Sequence, residues 1–168
     1  MTTLTVNEIF HSIQGESTHV GRPCLFIRLS SCNLRCIWCD TAYAFDEGES
    51  LSVDVILARV RAAGCPLVEI TGGEPLVQAG VHELMTRLCD EGYEVLLETG
   101  GSIDIASVDP RVRRIMDLKC PGSGMEKKNL LSNIDVLSTG DEVKFVIGSR
   151  EDYDWSRQHR TSLGIQRN

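Results

Sequence analysis

At 168 residues the chain has room for one domain with a real core and too little for two typical ones. Apolar residues make up 42% and charged residues 24%, the ordinary balance of a soluble globular protein, with no internal repeat or low-complexity tract. A net charge of −7 argues against nucleic acid or an anionic membrane as the main partner, and no apolar stretch is long enough to span a membrane.

In chain order, Ile13-Gln14-Gly15-Glu16 comes first, several hydrogen-bonding groups around a flexible glycine. A simple polar turn explains it equally well. Cys24 to Leu29 is a short apolar run, expected to form a buried strand that ends at Ser30-Ser31. Arg28 sits inside it, on the same face as Phe26 by alternation. A buried arginine needs an anion, and its planar fork suits a carboxylate; a half-buried edge position with a solvated tip is the plainer reading.

The run Cys32-Asn33-Leu34-Arg35-Cys36-Ile37-Trp38-Cys39 follows at once. Three thiolates this close can fold onto one face of a loop and hold a soft metal centre. A four-iron cluster normally takes four cysteines, so three leave one iron open for a substrate or cofactor. Structural zinc also uses closely spaced cysteines, but usually as four ligands in two pairs. Neither Cys24, Cys65, Cys89 and Cys120 nor the four histidines supply a second pair, and all of these read as structural or solvated residues. The odd count of seven cysteines, with no signal peptide ahead, points to a reduced cytoplasm and not to disulfides. Asp40-Thr41 carries hard oxygens suited to magnesium, or serves as an ordinary cap.

Beyond the loop, Val53, Ile56, Leu57 and Val60 recur at helical spacing, with Ser50 or Ser52 as cap and Gly64 and Pro66 as stop. Leu67 to Ile70 reads as a strand running into Thr71-Gly72-Gly73-Glu74-Pro75. The glycines let a ligand approach the backbone and Glu74 could pair with an ammonium, although an ordinary strand-to-helix turn has the same look. A second helix shows Val81, Leu84, Met85 and Leu88 on one face and ends near Gly92. Tyr93 to Leu97 is a strand leading into Glu98-Thr99-Gly100-Gly101-Ser102, where Glu98 needs a partner if buried and Ser102 is a candidate ligand contact. Further strands are expected at Arg114 to Leu118 and Glu142 to Ile147, and a helix from Glu151. Strands alternating with helices make this an α/β chain with a parallel sheet, and the polar segments follow strand ends, where such folds bind ligands.

The cysteine spacing resembles the signature of the radical S-adenosylmethionine enzymes, and Gly72-Gly73-Glu74 their motif for the cofactor's amino group. Glu8 to Glu16, Phe26 to Leu29, Trp38-Cys39-Asp40-Thr41 and Ile70 to Pro75, collinear from about Val6 to Trp155, resemble the 7-carboxy-7-deazaguanine synthase family. The resemblance implies an incomplete, shortened TIM-type (β/α) barrel that pairs as a homodimer. It also implies a lyase that turns 6-carboxy-5,6,7,8-tetrahydropterin into 7-carboxy-7-deazaguanine, with release of ammonia, in queuosine biosynthesis. By the same resemblance Cys32, Cys36 and Cys39 ligate a catalytic [4Fe-4S] cluster, and Thr41 binds Mg2+. Trp38, Cys39, Asp40, Gly73, Glu74, Ser102, Asp117, Leu118 and Lys119 line S-adenosylmethionine, while Ile13, Gln14, Gly15, Arg28 and Thr71 contact the pterin. A reducing partner such as flavodoxin or ferredoxin supplies the electron. Residues 1–155 then form the radical domain, and 156–168, polar and unlike the family, read as a truncated tail. A glycyl-radical activase shares the cysteine spacing, and a non-catalytic cluster- or zinc-binding protein is the other alternative. Gln14-Gly15-Glu16 and Cys39-Asp40-Thr41 favour the pterin enzyme.

Overall fold

The sheet begins earlier than the apolar run at Cys24. In the computed structural model, which describes residues 1–165, Thr3–Ile13 form a long strand β1 paired antiparallel with β2 (Pro23–Leu29). A four-residue strand β3 (Glu49–Ser52) lies antiparallel on the other side of β1. Then come α1 (Val53–Ala63), β4 (Leu67–Gly72), α2 (Val81–Asp90), β5 (Glu94–Thr99), β6 (Arg113–Asp117), β7 (Glu142–Lys144) and α3 (Arg150–Ser162). The strand order is β3-β1-β2-β4-β5-β6-β7, with all pairs from β2 to β7 parallel. The sheet stays open at β3 and β7, so the barrel is incomplete, as expected.

Three expectations need correction. The sheet is mixed, because β1 and β3 add an antiparallel edge to the parallel array. The strand–helix alternation stops after β5: short 3-10 turns and irregular chain, not α-helices, carry the crossovers to β6 and β7. The last strand ends at Lys144, short of Ile147. Helix α3 runs through Trp155 and Ser156 without a break, and Gln166 to Asn168 of the expected tail lie outside the described residues.

Local chemistry fixes the helices. Ser52, not Ser50, caps α1 by accepting from the Val55 N–H, and Gly64 ends it in a left-handed conformation. Val53, Ile56, Leu57 and Val60 of α1 and Val81, Leu84, Met85 and Leu88 of α2 bury against Leu4, Ile27, Ile70 and Leu97 of the sheet. The opposite, inner face carries a smaller apolar group of Cys24, Phe26, Leu67, Leu96 and Ile115, with Phe10 stacked on Phe26 at 5.0 Å between ring centroids. Much of that face is therefore left for polar side chains. Among the described residues no helix is long and apolar enough to cross a membrane.

One ion pair ties β6 to the chain that precedes β7. The Arg114 and Asp141 side chains are 5% and 1% exposed and meet at 2.7 Å. Burial alone would raise the Asp141 carboxyl; hydrogen bonds from the Arg114 and Ser138 N–H groups and side chains overcome this and hold it below its usual range. Arg114→Met leaves a buried carboxylate without its cation. The expected result is a loss of about 3 kcal/mol in a denaturant unfolding curve, as for other broken buried pairs.

Candidate active site

The segments that follow β2, β4, β5 and β6 meet at one end of the sheet. Ser31, directly after β2, adopts a left-handed conformation with φ 73° and turns the chain into the cysteine loop. That loop is stitched to the strand beside it. The Gly73 N–H donates to the Leu29 carbonyl at 3.3 Å, and the Glu74 N–H to the Ser31 carbonyl at 2.9 Å. A Cβ on Gly73 would collide with the Ser31 carbonyl oxygen and come within 2.7 Å of the Cys32 Cβ. The first demand on this glycine is thus the close approach of the chain's own cysteine loop, ahead of any ligand.

Cys32, Cys36 and Cys39 are free and half-buried. The Leu34 N–H donates to the Cys32 sulfur at 3.3 Å, and the Ile37 N–H anchors the loop to the Ser123 carbonyl at 3.0 Å. Burial pushes the Cys32 and Cys36 thiols upward, opposed by the Leu34 N–H at Cys32 and by the Lys119 charge at Cys36. Among the described residues no three His, Cys, Asp or Glu side chains gather as they do around a single metal ion. Cluster ligands each sit on a separate iron and need not converge on a single point.

Next to the loop lies a pocket wall of buried polar groups. Glu74 is fully buried and accepts from the Leu76 N–H at 3.1 Å, the Gly100 N–H at 2.7 Å and the Thr99 hydroxyl at 2.9 Å. Burial raises its carboxyl, and these donors work against the rise. Around Gly100 the Leu34, Glu74 and Lys119 side chains converge, so a Cβ there would lie within 3.5 Å of all three. Lys119 pairs with one oxygen of Asp117 at 2.7 Å, while the other, Oδ1, is buried with no partner among the described residues. Burial would lower the Lys119 ammonium, but the charge and hydrogen bond of Asp117 outweigh it. An orphaned acceptor, a buried carboxylate and three thiols within one strand-end cluster fit a cofactor carrying cationic and hydroxyl groups together with an iron–sulfur cluster.

The remaining expected cofactor residues are arranged unevenly. Ser102 exchanges a hydrogen bond with Asn33 of the cysteine loop at 3.0 Å. Trp38 packs its ring over Gly122 and Gly148. Leu118 is fully buried and offers only its backbone. The Thr41 hydroxyl donates to Asp40 at 2.8 Å, an oxygen pair of the kind a hard cation takes.

On the inner face, Arg28 donates from Nε to Glu8 at 2.7 Å and lies over the Phe10 and Tyr43 rings. The anion it was expected to need is a neighbouring strand's carboxylate. Thr71 donates to Glu98 at 3.3 Å, and Glu98 finds its partner in Lys144 at 3.2 Å. Gln14 is buried and donates to Glu69; Ile13, 65% exposed, sits on the rim. The hairpin end between β1 and β2 reaches across the open face. Glu16 pairs with Lys144 at 2.6 Å, and Thr18 donates to Glu142 from its hydroxyl at 2.6 Å. Of these, Glu69 has no place in the expected site, Glu98 is expected there only to need a partner, and Glu16 only as part of the Gln14-Gly15-Glu16 motif. Glu69 carried a readable signal, a lone charge inside Leu67-Val68-Glu69-Ile70, of the same kind as Arg28.

A half barrel with three cysteines after its first parallel strand defines the class. Residues 27–157 match the radical SAM superfamily. The chain is 46% identical to 7-carboxy-7-deazaguanine synthase of Koribacter versatilis, over 97% of this chain and 73% of that protein. It is 44% identical to the enzyme of that name from Chlorobaculum tepidum, over 96% of this chain and 75% of that one. The fold matches the crystal structure of QueE from Escherichia coli with a TM-score of 0.80 at 25% identity, covering 95% of this chain and 77% of that one. The chain belongs to the 7-carboxy-7-deazaguanine synthase family, radical SAM lyases of queuosine biosynthesis. Membership sets aside the activase and the non-catalytic metal protein.

Proposed function

We propose that the chain binds 6-carboxy-5,6,7,8-tetrahydropterin on the inner face and yields 7-carboxy-7-deazaguanine with loss of ammonia. The observation that carries this reading is the hairpin end: Gln14 fastens it to Glu69 in the middle of β4, and Glu16 and Thr18 fasten it to Lys144 and Glu142 of β7, across the inner face that carries Arg28, Thr71 and Glu98. When bound to Cys32, Cys36 and Cys39, the cluster together with S-adenosylmethionine supplies the hydrogen-abstracting radical chemistry of the superfamily. The chain's own work is to hold and exclude. Glu74 takes the cofactor's ammonium, and the free Asp117 oxygen, Lys119 and Ser102 take its polar edges. Arg28, its Nε already held by Glu8, turns its remaining donors to the substrate carboxylate. Gln14, Gly15 and Thr71 fix the ring, and the hairpin end keeps water and stray hydrogen donors out. Asp40 and Thr41 together take the magnesium ion. The reading further includes a homodimer in the cytoplasm, reduced by a flavodoxin- or ferredoxin-type partner.

The test is anaerobic reconstitution with iron and sulfide, followed by dithionite, S-adenosylmethionine, magnesium and the carboxypterin. Appearance of 7-carboxy-7-deazaguanine by mass spectrometry supports the reading. A four-iron cluster that cleaves S-adenosylmethionine yet leaves the pterin untouched rejects the substrate.

A further inference from the structure

Glu69 has no structural reason to be charged. It sits in the middle of β4, in register between Phe26 of β2 and Leu96 of β5, and is 2% exposed. A leucine there would extend the apolar group of Cys24, Phe26, Leu67, Leu96 and Ile115 that surrounds it. What the carboxyl does is hold Gln14, whose side-chain amide donates to it from the hairpin end. Gln14 is held at its other end too. Its Oε1 accepts from the Glu16 N–H at 3.2 Å, and its backbone exchanges hydrogen bonds with Arg22 and Gly21 at 2.8 Å. The Gln14 side chain, 3% exposed, is thus a bolt from the hairpin end into the sheet, and Glu69 is its socket.

The charges around that socket are unbalanced. Glu98 from β5, Glu16 from the hairpin end and Lys144 from β7 face Glu69, and Glu8 and Arg28 pair with each other further along the same face. Cys24 of β2 is the remaining titratable neighbour, and burial pushes its thiol up to about 12, so it stays neutral. Burial first, then the Glu98 charge, raise the Glu69 carboxyl to about 8, with Gln14 and Lys144 pulling the other way. Glu69 therefore keeps its proton more readily than an exposed carboxyl does. Ionising it would add negative charge to a face that must accept a carboxylated substrate.

We propose that Glu69 is a positioning residue for the substrate: its carboxyl accepts from Gln14, pins the Gln14–Gly15 segment and governs how readily the inner face takes an anionic pterin. The inference rests on the pterin reading above, and on nothing about the cluster.

Binding of 6-carboxy-5,6,7,8-tetrahydropterin to the unreduced, S-adenosylmethionine-loaded holoenzyme, measured by anaerobic calorimetry from pH 6 to 9.5, tests it. Wild type is expected to hold its affinity to about pH 7.5 and lose roughly tenfold by pH 9. Glu69→Gln, which cannot ionise but still accepts from Gln14, should stay flat across the range. Glu69→Ala should bind about tenfold more weakly at every pH and raise KM while kcat stays within twofold. Thermal melting gives a second readout. A carboxyl raised in the folded state contributes stability below its ordinary value of about 4.5 and loses it as pH rises toward 8. Glu69→Gln should therefore melt above wild type at pH 9 and level with it at pH 4. If Glu69→Ala binds within twofold of wild type, or Glu69→Gln keeps the alkaline loss, the inference is overturned. Absence of any pterin binding by wild type would instead withdraw the substrate reading, and this inference with it.

Discussion

Cys36→Ser is expected to bring product formation down by about four orders of magnitude, to background, while the purified chain remains folded. The loop does not depend on the Cys36 thiol for its shape. It is held by the left-handed turn at Ser31, by the Glu74 N–H on the Ser31 carbonyl and by the Ile37 N–H on the Ser123 carbonyl. Far-ultraviolet circular dichroism and the melting curve of the unreconstituted protein should thus stay near wild type. What is lost is the third soft ligand, and a hydroxyl is a poor replacement for a thiolate on iron. Ligands that act as a unit are not additive, so the triple variant at Cys32, Cys36 and Cys39 should be no worse than the single one. Iron and sulfide analysis checks this directly. A Cys36→Ser protein that keeps a full complement of iron and still turns over would remove the loop from the chemistry.

The second large effect is expected at Glu74. Glu74→Gln keeps the shape of the side chain but replaces an acceptor by an amide that must also donate. The Leu76 N–H, the Gly100 N–H and the Thr99 hydroxyl all converge on the present carboxylate, so one pairing becomes donor against donor. A cost of about 1–3 kcal/mol in stability follows, because the misplaced group is fully buried. Binding of S-adenosylmethionine should weaken by roughly 10- to 100-fold, the worth of a charge-assisted hydrogen bond to its ammonium. Calorimetric titration with the cofactor and a denaturation curve separate the two losses. Equal affinity in the variant would place the cofactor's ammonium elsewhere.

How much of this was legible in the sequence varied by element, for physical reasons. Helices α1 and α2 fall close to their expected places because each buries a single face and so shows an undisturbed period, and strands β4 and β5 because, buried on both faces, they read as short continuous apolar runs. Strand β1 was hidden because its alternation changes phase. A register shift between Val6 and Glu8 turns Leu4 and Val6, then Ile9, toward the helices, while Phe10 faces inward. Strand β3, Glu-Ser-Leu-Ser, is too short and polar to announce itself. In the site, residues within one motif were readable from spacing alone. Those joined only through the fold, Glu69 to Gln14 and Lys144 to both Glu16 and Glu98, lie 46 to 128 positions apart and were not.

The same long separations bear on how the protein is made. The hairpin of β1 and β2 is local and can pair early, but its tip is fastened to Glu142 and Lys144, more than 120 positions further along the chain. Contacts of such high sequence separation form late, after the entropy of closing the intervening chain has been met. A nascent chain that has already folded α1, α2 and most of its sheet therefore still lacks the cover of its inner face. The inner face is covered only once synthesis has passed β7, which makes this cover one of the last features of the described fold to form.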